Sequence, residues 1–397
     1  MSHALLISGA GIAGLAAALA LSRAGARVDV VERAPQLSTE GAGVQLGPNV
    51  TRILRAWGLQ DALNAVAVFP QHLCARDARD GRVMGQVALS TGAQRYGAPH
   101  VCIHRADLQM LLWQAAQQAP HVHWHWGQAL QSVNPTADHV SVRSEAGQTW
   151  SAHGLVVAEG IGSPLRCQLL GDGAATPTGH VALRALLPMA DVPSAWRSSD
   201  VQVWMGVDFH LVHYPVRGSK WLNLVLVLNR PDMAQDLGWI GVGDAAWAQR
   251  AVGRSCAALR DLVGAVSEWR YWVLADRPPM ASASEMAQGR VALVGDAAHP
   301  MRPYLAQGAG MSIEDAAALQ MAWQGPSGDS VTAAGQAMAH SRWQRVARVQ
   351  QQSRRNGRIF HSSGLQRWGR NLALQALGSR LMDPVWLYGG GPISQHG

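Results

Sequence analysis

The chain has 397 residues, of which 48% are hydrophobic and 15% charged, and a formal net charge of +7. Such a length holds roughly two to three ordinary domains, and this apolar share builds a sizeable core, which excludes a disordered or fibrous chain. The basic excess is scattered arginine, with Lys220 the single lysine, and the densest run, Arg342 to Arg358, reads as a solvated helix face; neither nucleic acid nor a membrane is an expected partner.

The N-terminus predicts a strand over Ala4 to Ser8, a glycine turn, a helix over Ala13 to Arg23 stopped by Gly25, and a second strand over Arg27 to Val31. This is a βαβ unit, which implies a parallel sheet with a right-handed crossover. The apolar stretch Leu15 to Leu21 lacks a basic start and follows three glycines, so it is not read as a signal peptide, and no stretch is long enough to span a membrane. Helices are expected over Asn49 to Trp57, ending at Gly58, and over Arg105 to Ala119, ending at Pro120. Strands with hairpin signals follow from Val122 to Val157, with a turn at Glu145 to Gly147, and again from His180 to Leu228, with a turn near Arg217 and Gly218. A helix over Cys256 to Val266 and a strand over Val291 to Val294 precede a mainly helical last hundred residues. Cys74, Cys102, Cys167 and Cys256 lie far apart without a CxxC pair, so neither a disulfide framework nor a zinc site is indicated, as suits a reducing cytoplasm.

Gly9-Ala10-Gly11-Ile12-Ala13-Gly14 is a GxGxxG set between strand and helix. Gly9 permits the tight turn, Gly11 admits a pyrophosphate against the backbone, and Gly14 lets the helix lie on the sheet. The helix N-terminus favours the phosphate charge, and Glu32, ending the second strand, is placed to accept ribose hydroxyls. The fingerprint alone leaves FAD and NAD open, and Arg33 admits a reading as a partner for the extra phosphate of NADP.

A second signal stands downstream, where Arg290 to Ala316 reads RVALVGDAAHPMRPYLAQGAGMSIEDA. A buried strand delivers Asp296 to the edge of the sheet, a loop braced by Pro300 and Pro303 follows, and Gly308 to Gly310 opens a helix whose N–H donors suit an electron-rich flavin edge. The segment closely resembles the GD motif of the single-component flavin-dependent aromatic hydroxylases, in particular the salicylate hydroxylase and 3-hydroxybenzoate 6-hydroxylase branch. GAGVQLGPN at Gly41 to Asn49, IHRADL at Ile103 to Leu108, Asp276-Arg277-Pro278 and Trp386-Leu387-Tyr388 extend the resemblance over nearly the whole chain.

The resemblance implies an α/β fold in which a Rossmann-like βαβ FAD-binding domain is interrupted by a β-sheet substrate domain and followed by helices. The expected FAD-binding domain takes 1–70, 98–176 and 275–397, and the substrate domain 71–97 and 177–274. FAD is expected to be bound non-covalently by Gly9, Gly11, Ile12, Ala13, Gly14, Glu32, Arg33, Gln45, Arg105, Glu159, Gly295, Asp296, Pro303, Gly308, Ala309, Gly310 and Met311. In that set Asp296 meets the ribityl chain or pyrophosphate, and Arg105 lies along the phosphate side. Glu159 stands where the family usually has aspartate, near the cofactor and the reductant's approach. NAD(P)H is expected as a transient reductant without a domain of its own, in keeping with the single GxGxxG. The implied reaction is NAD(P)H- and O2-dependent hydroxylation of a small phenolic or hydroxyaromatic acid through a flavin hydroperoxide. An N-heteroaromatic or polyketide substrate, or a flavin-binding protein with little coupled turnover, remains as an alternative, and homodimerisation is left open.

Within the expected substrate domain, alternation along a strand puts His210, Val212 and Tyr214 on one face and Leu211 and His213 on the other. Histidine titrates near neutrality and is the natural base for a phenol, and the His-x-x-x-Tyr spacing resembles the catalytic pair of 3-hydroxybenzoate and 6-hydroxynicotinate hydroxylases. His121, His123 and His125 share a strand face but have no carboxylate or cysteine at ligand spacing, so a solvent-facing edge rather than a metal site is expected. By the resemblance His299 serves the turn after Asp296. Trp204, Trp221 and Trp272 are candidates for the wall of an aromatic pocket, with core packing the more common role.

Overall fold

The computed structural model describes residues 4–38, 41–233, 240–325 and 328–393. The chain divides into two compact units: Met1–Thr39, Leu108–Ala175 and Asp276–Ser353 make the first, and Glu40–Asp107, Thr176–Ala275 and Arg354–Gly397 the second. Among the described residues no helix is long and apolar enough to cross a membrane.

The first unit is built on a six-stranded sheet ordered Ala287–Gln288, Val291–Leu293, Gly154–Val157, Ala4–Ser8, Arg27–Glu32, Val122–Trp126. All neighbours run parallel except the short antiparallel edge strand at Ala287–Gln288. Central parallel strands are buried on both faces, and LLI and VVE accordingly carry apolar side chains on both. Helix Ile12–Arg23 packs on the sheet and on helix Gly308–Ala322. Its run of buried alanines allows that close approach. A separate three-stranded antiparallel sheet, Leu130–Pro135, Val140–Ser144 and Thr149–Ala152, contains the expected turn at Glu145 to Gly147, where the Gly147 N–H donates to the Ser144 carbonyl at 2.9 Å.

The second unit is an eight-stranded sheet ordered Ile240–Gly243, Trp269–Asp276, Thr176–Pro188, Trp221–Asn229, Phe209–Val216, Val201–Met205, His72–Asp77, Val83–Ala88. One face is a leucine surface: Leu183, Leu187, Leu222, Leu224, Leu226, Leu228, Phe209 and Leu211 pack with Trp204 and Trp269 under helices Ala245–Val252 and Ala257–Gly264. The opposite face meets helix Gly364–Met382, whose Leu374 joins the cluster of Ala75, Met84 and Val203. A two-stranded ribbon, Gly43–Leu46 with Val101–His104, sits on this same face, where Cys102 and Tyr214 share a core cluster.

Relative to the expected bounds, residues 41–70, 98–107 and 354–393 fall with the sheet unit. The cause is packing at long range: the ribbon seals against Tyr214, and helix Gly364–Met382 lies along Val83–Ala88 so closely that a Cβ on Gly378 would stand 2.9 Å from the Gly85 Cα.

Candidate functional site

In the first unit the glycine turn has the geometry that dinucleotide binding needs. Gly9 sits at φ +101°, and a Cβ there would lie 2.7 Å from the Ala158 carbonyl oxygen. At Gly14 a Cβ would fall 1.8 Å from the Gly9 carbonyl oxygen, so only glycine lets the helix touch the strand. Gly11, the N-cap of the helix, has nothing within 4 Å of such an atom. That is a cradle open to a pyrophosphate at a positive helix end, formed with Ile12 and Ala13. Glu32 accepts the Ala10 N–H at 2.6 Å and the Ala34 N–H at 2.8 Å, which fixes a half-buried carboxylate beside the turn; Arg33 next to it is exposed.

The downstream segment of this unit is held from below. Asp315 is fully buried; its carboxylate accepts the Gly295 N–H at 3.0 Å and Arg342 Nε at 2.9 Å, and pairs with His299 Nε2 at 2.6 Å. Burial pushes the Asp315 carboxyl up, but His299, Arg342 and the Gly295 N–H together bring it below the ordinary value. Glu314, equally buried, binds Arg342 and Arg345. Above this network Asp296 is exposed, and Gly308, Ala309, Gly310 and Met311 begin the helix. A Cβ on Gly308 would stand 3.9 Å from the Asp296 carboxylate. Pro303 starts a short turn that ends at Ala306, held at φ +51°, a strained value for alanine that marks a constrained loop.

Glu159 does not hang free. It accepts hydrogen bonds from the Ser8 and Ser163 hydroxyls and, at 3.4 Å, from the Leu165 N–H. Burial raises its pKa, opposed by the Ser163 and Ser8 hydroxyls. Its length thus ties the end of the first strand to the start of helix Pro164–Leu170.

In the second unit, Gln45 and Arg105 lie at the ribbon and its exit. The Arg105 N–H donates to the Ala42 carbonyl at 2.9 Å, and Gln45 is hydrogen-bonded to Tyr214. A Cβ on Gly43 would stand 2.6 Å from the Tyr214 ring, so the ribbon rests directly on that phenol, and the Gly43 N–H donates to Asn223 at 2.6 Å.

The strand alternation around His210 is as expected. His210 and Tyr214 project from the face of the ribbon, while His213, 1% exposed, lies on the leucine side against Trp196, ring centroids 5.8 Å apart. Across the strands, the register places His180, Arg184 and Asn223 on the face of His210 and Tyr214. The sheet therefore has one largely leucine-lined face, in which His213 is buried, and one carrying two imidazoles, a guanidinium, an amide and a phenol. His210 Nδ1 is 2.9 Å from Nε2 of His361, which follows the helix ending at Phe360, and the His180 and His361 rings are 5.1 Å apart. Burial first, then His361 and His180, hold the His210 pKa well below the ordinary histidine value, and burial takes His361 down to about 3. Burial also raises the Tyr214 phenol. Sequence reasoning missed His361, His180, Arg184 and Asn223; only the alternation of His180, Ala182 and Arg184 along their strand was available as a signal.

The three histidines near 123 do not converge. His121 precedes the strand at φ +65°, His123 is exposed, and His125 pairs with Asp29 at 3.0 Å on the sheet edge. Of the candidate wall tryptophans, Trp204 is core, Trp221 packs beside the Tyr214 cluster, and Trp272 carries the Arg184 guanidinium.

A parallel sheet with an open glycine cradle and a braced carboxylate turn defines a dinucleotide-binding flavoprotein scaffold. The family model described as an FAD binding domain matches residues 2–347. The 3-hydroxybenzoate 6-hydroxylase of Polaromonas naphthalenivorans (strain CJ2) is 36% identical over 97% of this chain and 95% of that protein. The 6-hydroxynicotinate 3-monooxygenase of Bordetella bronchiseptica (strain ATCC BAA-588 / NCTC 13252 / RB50) is 33% identical over 89% and 91%. A salicylate hydroxylase solved as a substrate complex superposes with a TM-score of 0.79 at 24% identity, over 97% of this chain and 95% of that one, a likeness of fold. The chain belongs to this FAD-binding family and is a single-component FAD-dependent monooxygenase of its aromatic hydroxylase branch.

Proposed function

We propose that this enzyme hydroxylates a small phenolic or hydroxyaromatic acid with NAD(P)H and O2, and that His210 and Tyr214 are its catalytic pair. The observation that carries the reading is the polar face of the eight-stranded sheet, from which both side chains project, Tyr214 beneath the ribbon and His210 against His361, while His213 is sequestered on the other face. Bound FAD supplies the redox chemistry, passing electrons from NAD(P)H to oxygen and inserting one oxygen atom into the ring. The open N-terminus at Gly11, Ile12 and Ala13 would hold its pyrophosphate, and Glu32 its ribose. Asp296, the turn from Gly308 to Met311, Gln45 and Arg105 complete the proposed set. Glu159, fixed by Ser8 and Ser163, acts through the turn it braces.

A neutral His210 takes the phenolic proton on Nε2 and passes the Nδ1 proton to His361 across the 2.9 Å contact. His210 is then left neutral, as its burial requires. His361, itself only partly buried, is the next proton acceptor in line. Tyr214, hydrogen-bonded to Gln45, orients the ring. The relative named for 6-hydroxynicotinate makes an N-heteroaromatic acid the second reading. We further propose a cytoplasmic enzyme in which the glycine-turn unit serves the cofactor and the eight-stranded sheet the substrate.

The test is His210→Ala. A positioned base contributes about a hundredfold to ten-thousandfold. Hydroxylation should slow by that range, FAD content should hold, and NAD(P)H oxidation should release hydrogen peroxide in place of product, with partial rescue at high pH. His213→Ala should leave the coupling of NAD(P)H to product close to wild type. A crippled His213→Ala beside a normally coupled His210→Ala would place the base on the wrong face.

A further inference from the structure

Arg184 lies on the polar face and has no part in the proton path. Register sets it opposite Val225, and Val225 opposite Val212, which stands between His210 and Tyr214. Its Cα is therefore two strand spacings, about 10 Å, from the centre of the catalytic pair. Its guanidinium is stacked on Trp272, 3.0 Å from the ring centroid, so its fork is held by a rigid platform.

Its electrostatic surroundings are unusual. The charged and titratable groups acting on it are Arg105, a second cation, and the phenol of Tyr214; among the described residues no carboxylate does so. Burial, with Arg105 adding to it, lowers its pKa to about 9, which leaves it cationic at neutral pH. A half-buried, desolvated guanidinium without an anion beside it is costly, and a planar fork held on a ring is the geometry that receives a carboxylate through two parallel hydrogen bonds. The other arginines of this unit around the site are differently engaged: Arg217 pairs with Asp107, and Arg370 caps the Ile359 and Phe360 carbonyls.

We propose that Arg184 is the carboxylate anchor of the substrate site, so that the preferred substrate is an aromatic acid with its carboxylate on Arg184 and its hydroxyl on His210, one ring between them. This rests on the reading of His210 as the base. The guanidinium supplies binding and orientation, and its loss raises Kd and KM more than it lowers kcat.

The test uses the FAD-loaded enzyme and follows the flavin spectrum during titration with 3-hydroxybenzoate and with its neutral isostere 3-hydroxybenzamide. Wild type should prefer the acid. Removing one partner of a desolvated charge pair weakens binding by about thirtyfold or more. Arg184→Gln should show that loss for the acid and less than about a threefold change for the amide, with FAD content unaltered. Arg184→Lys should recover part of the acid's affinity. Equal losses for acid and amide, no acid preference in wild type, or loss of FAD with acid binding intact would each overturn the anchor. If instead His210→Ala kept coupled hydroxylation while the acid–amide contrast persisted, the proposed base would fail and the anchor would stand.

Discussion

Removing the Asp315 carboxylate tests how the cofactor turn is braced. Asp315→Ala takes away the acceptor of the Gly295 N–H, the partner of His299, which is fully buried, and one of the two anions that neutralise Arg342, 2% exposed. Breaking a buried ion pair from one side costs about 3–5 kcal/mol, because the remaining charge stays desolvated and unpaired. Glu314 keeps its hold on Arg342, which argues for the lower half of that range. Each kcal/mol shifts the melting temperature of a unit of this size by about 2–4 °C, so a fall on the order of 6–15 °C is expected. Asp315→Asn retains an acceptor for the Gly295 N–H and should fall between wild type and alanine. Since Gly295 leads into Asp296, FAD retention through gel filtration should drop in the same order as melting temperature. The assay is thermal melting of FAD-loaded and FAD-stripped protein. An alanine variant that melts within about 2 °C of wild type and keeps stoichiometric FAD would refute the bracing role.

Glu159→Ala should slow flavin reduction by NAD(P)H and leave the Ser8 and Ser163 hydroxyls without their acceptor, a loss of about 1–3 kcal/mol, while Glu159→Asp should reduce near the wild-type rate; equal stopped-flow rates in all three proteins would show the position to be idle. Acid should destabilise the sheet unit through its buried histidines. Burial lowers His100 to about 4 and His213 to about 3, so below about pH 6.5 the unfolded chain binds protons that the folded chain refuses, and stability is lost as pH falls from there towards the folded values. At pH 5 each contributes a loss of about 2 kcal/mol, measurable by urea melts at pH 7.5 and pH 5; His213→Leu should flatten that dependence.

Local chemistry wrote the first unit into the sequence. Gly9 and Gly14 are positions where no other residue fits, and the strands on either side read as apolar runs because both faces are buried. The face assignment of His210 and His213 was also legible, because alternation along a strand is a local property. What lies across the strands was not. His361 reaches His210 over 151 residues of sequence, and no pattern in either segment names the other. Arg184 acquires meaning only once antiparallel register sets it in line with Val212, and Glu159 only once Ser8 and Ser163 are seen at its carboxylate. The ribbon Gly43–Leu46 gave no strand signal of its own, since its place depends on the Tyr214 ring beneath a glycine.

The most direct measurement of the central claim is product formation by the purified, FAD-loaded protein, supplied with NADH or NADPH and a panel of hydroxybenzoates and hydroxypyridine carboxylates under labelled oxygen. At least one aromatic acid should stimulate NAD(P)H oxidation and yield a hydroxylated product carrying one labelled oxygen atom. NAD(P)H oxidation that no member of the panel stimulates, or stimulated oxidation that ends wholly in hydrogen peroxide with no labelled product, would contradict the account.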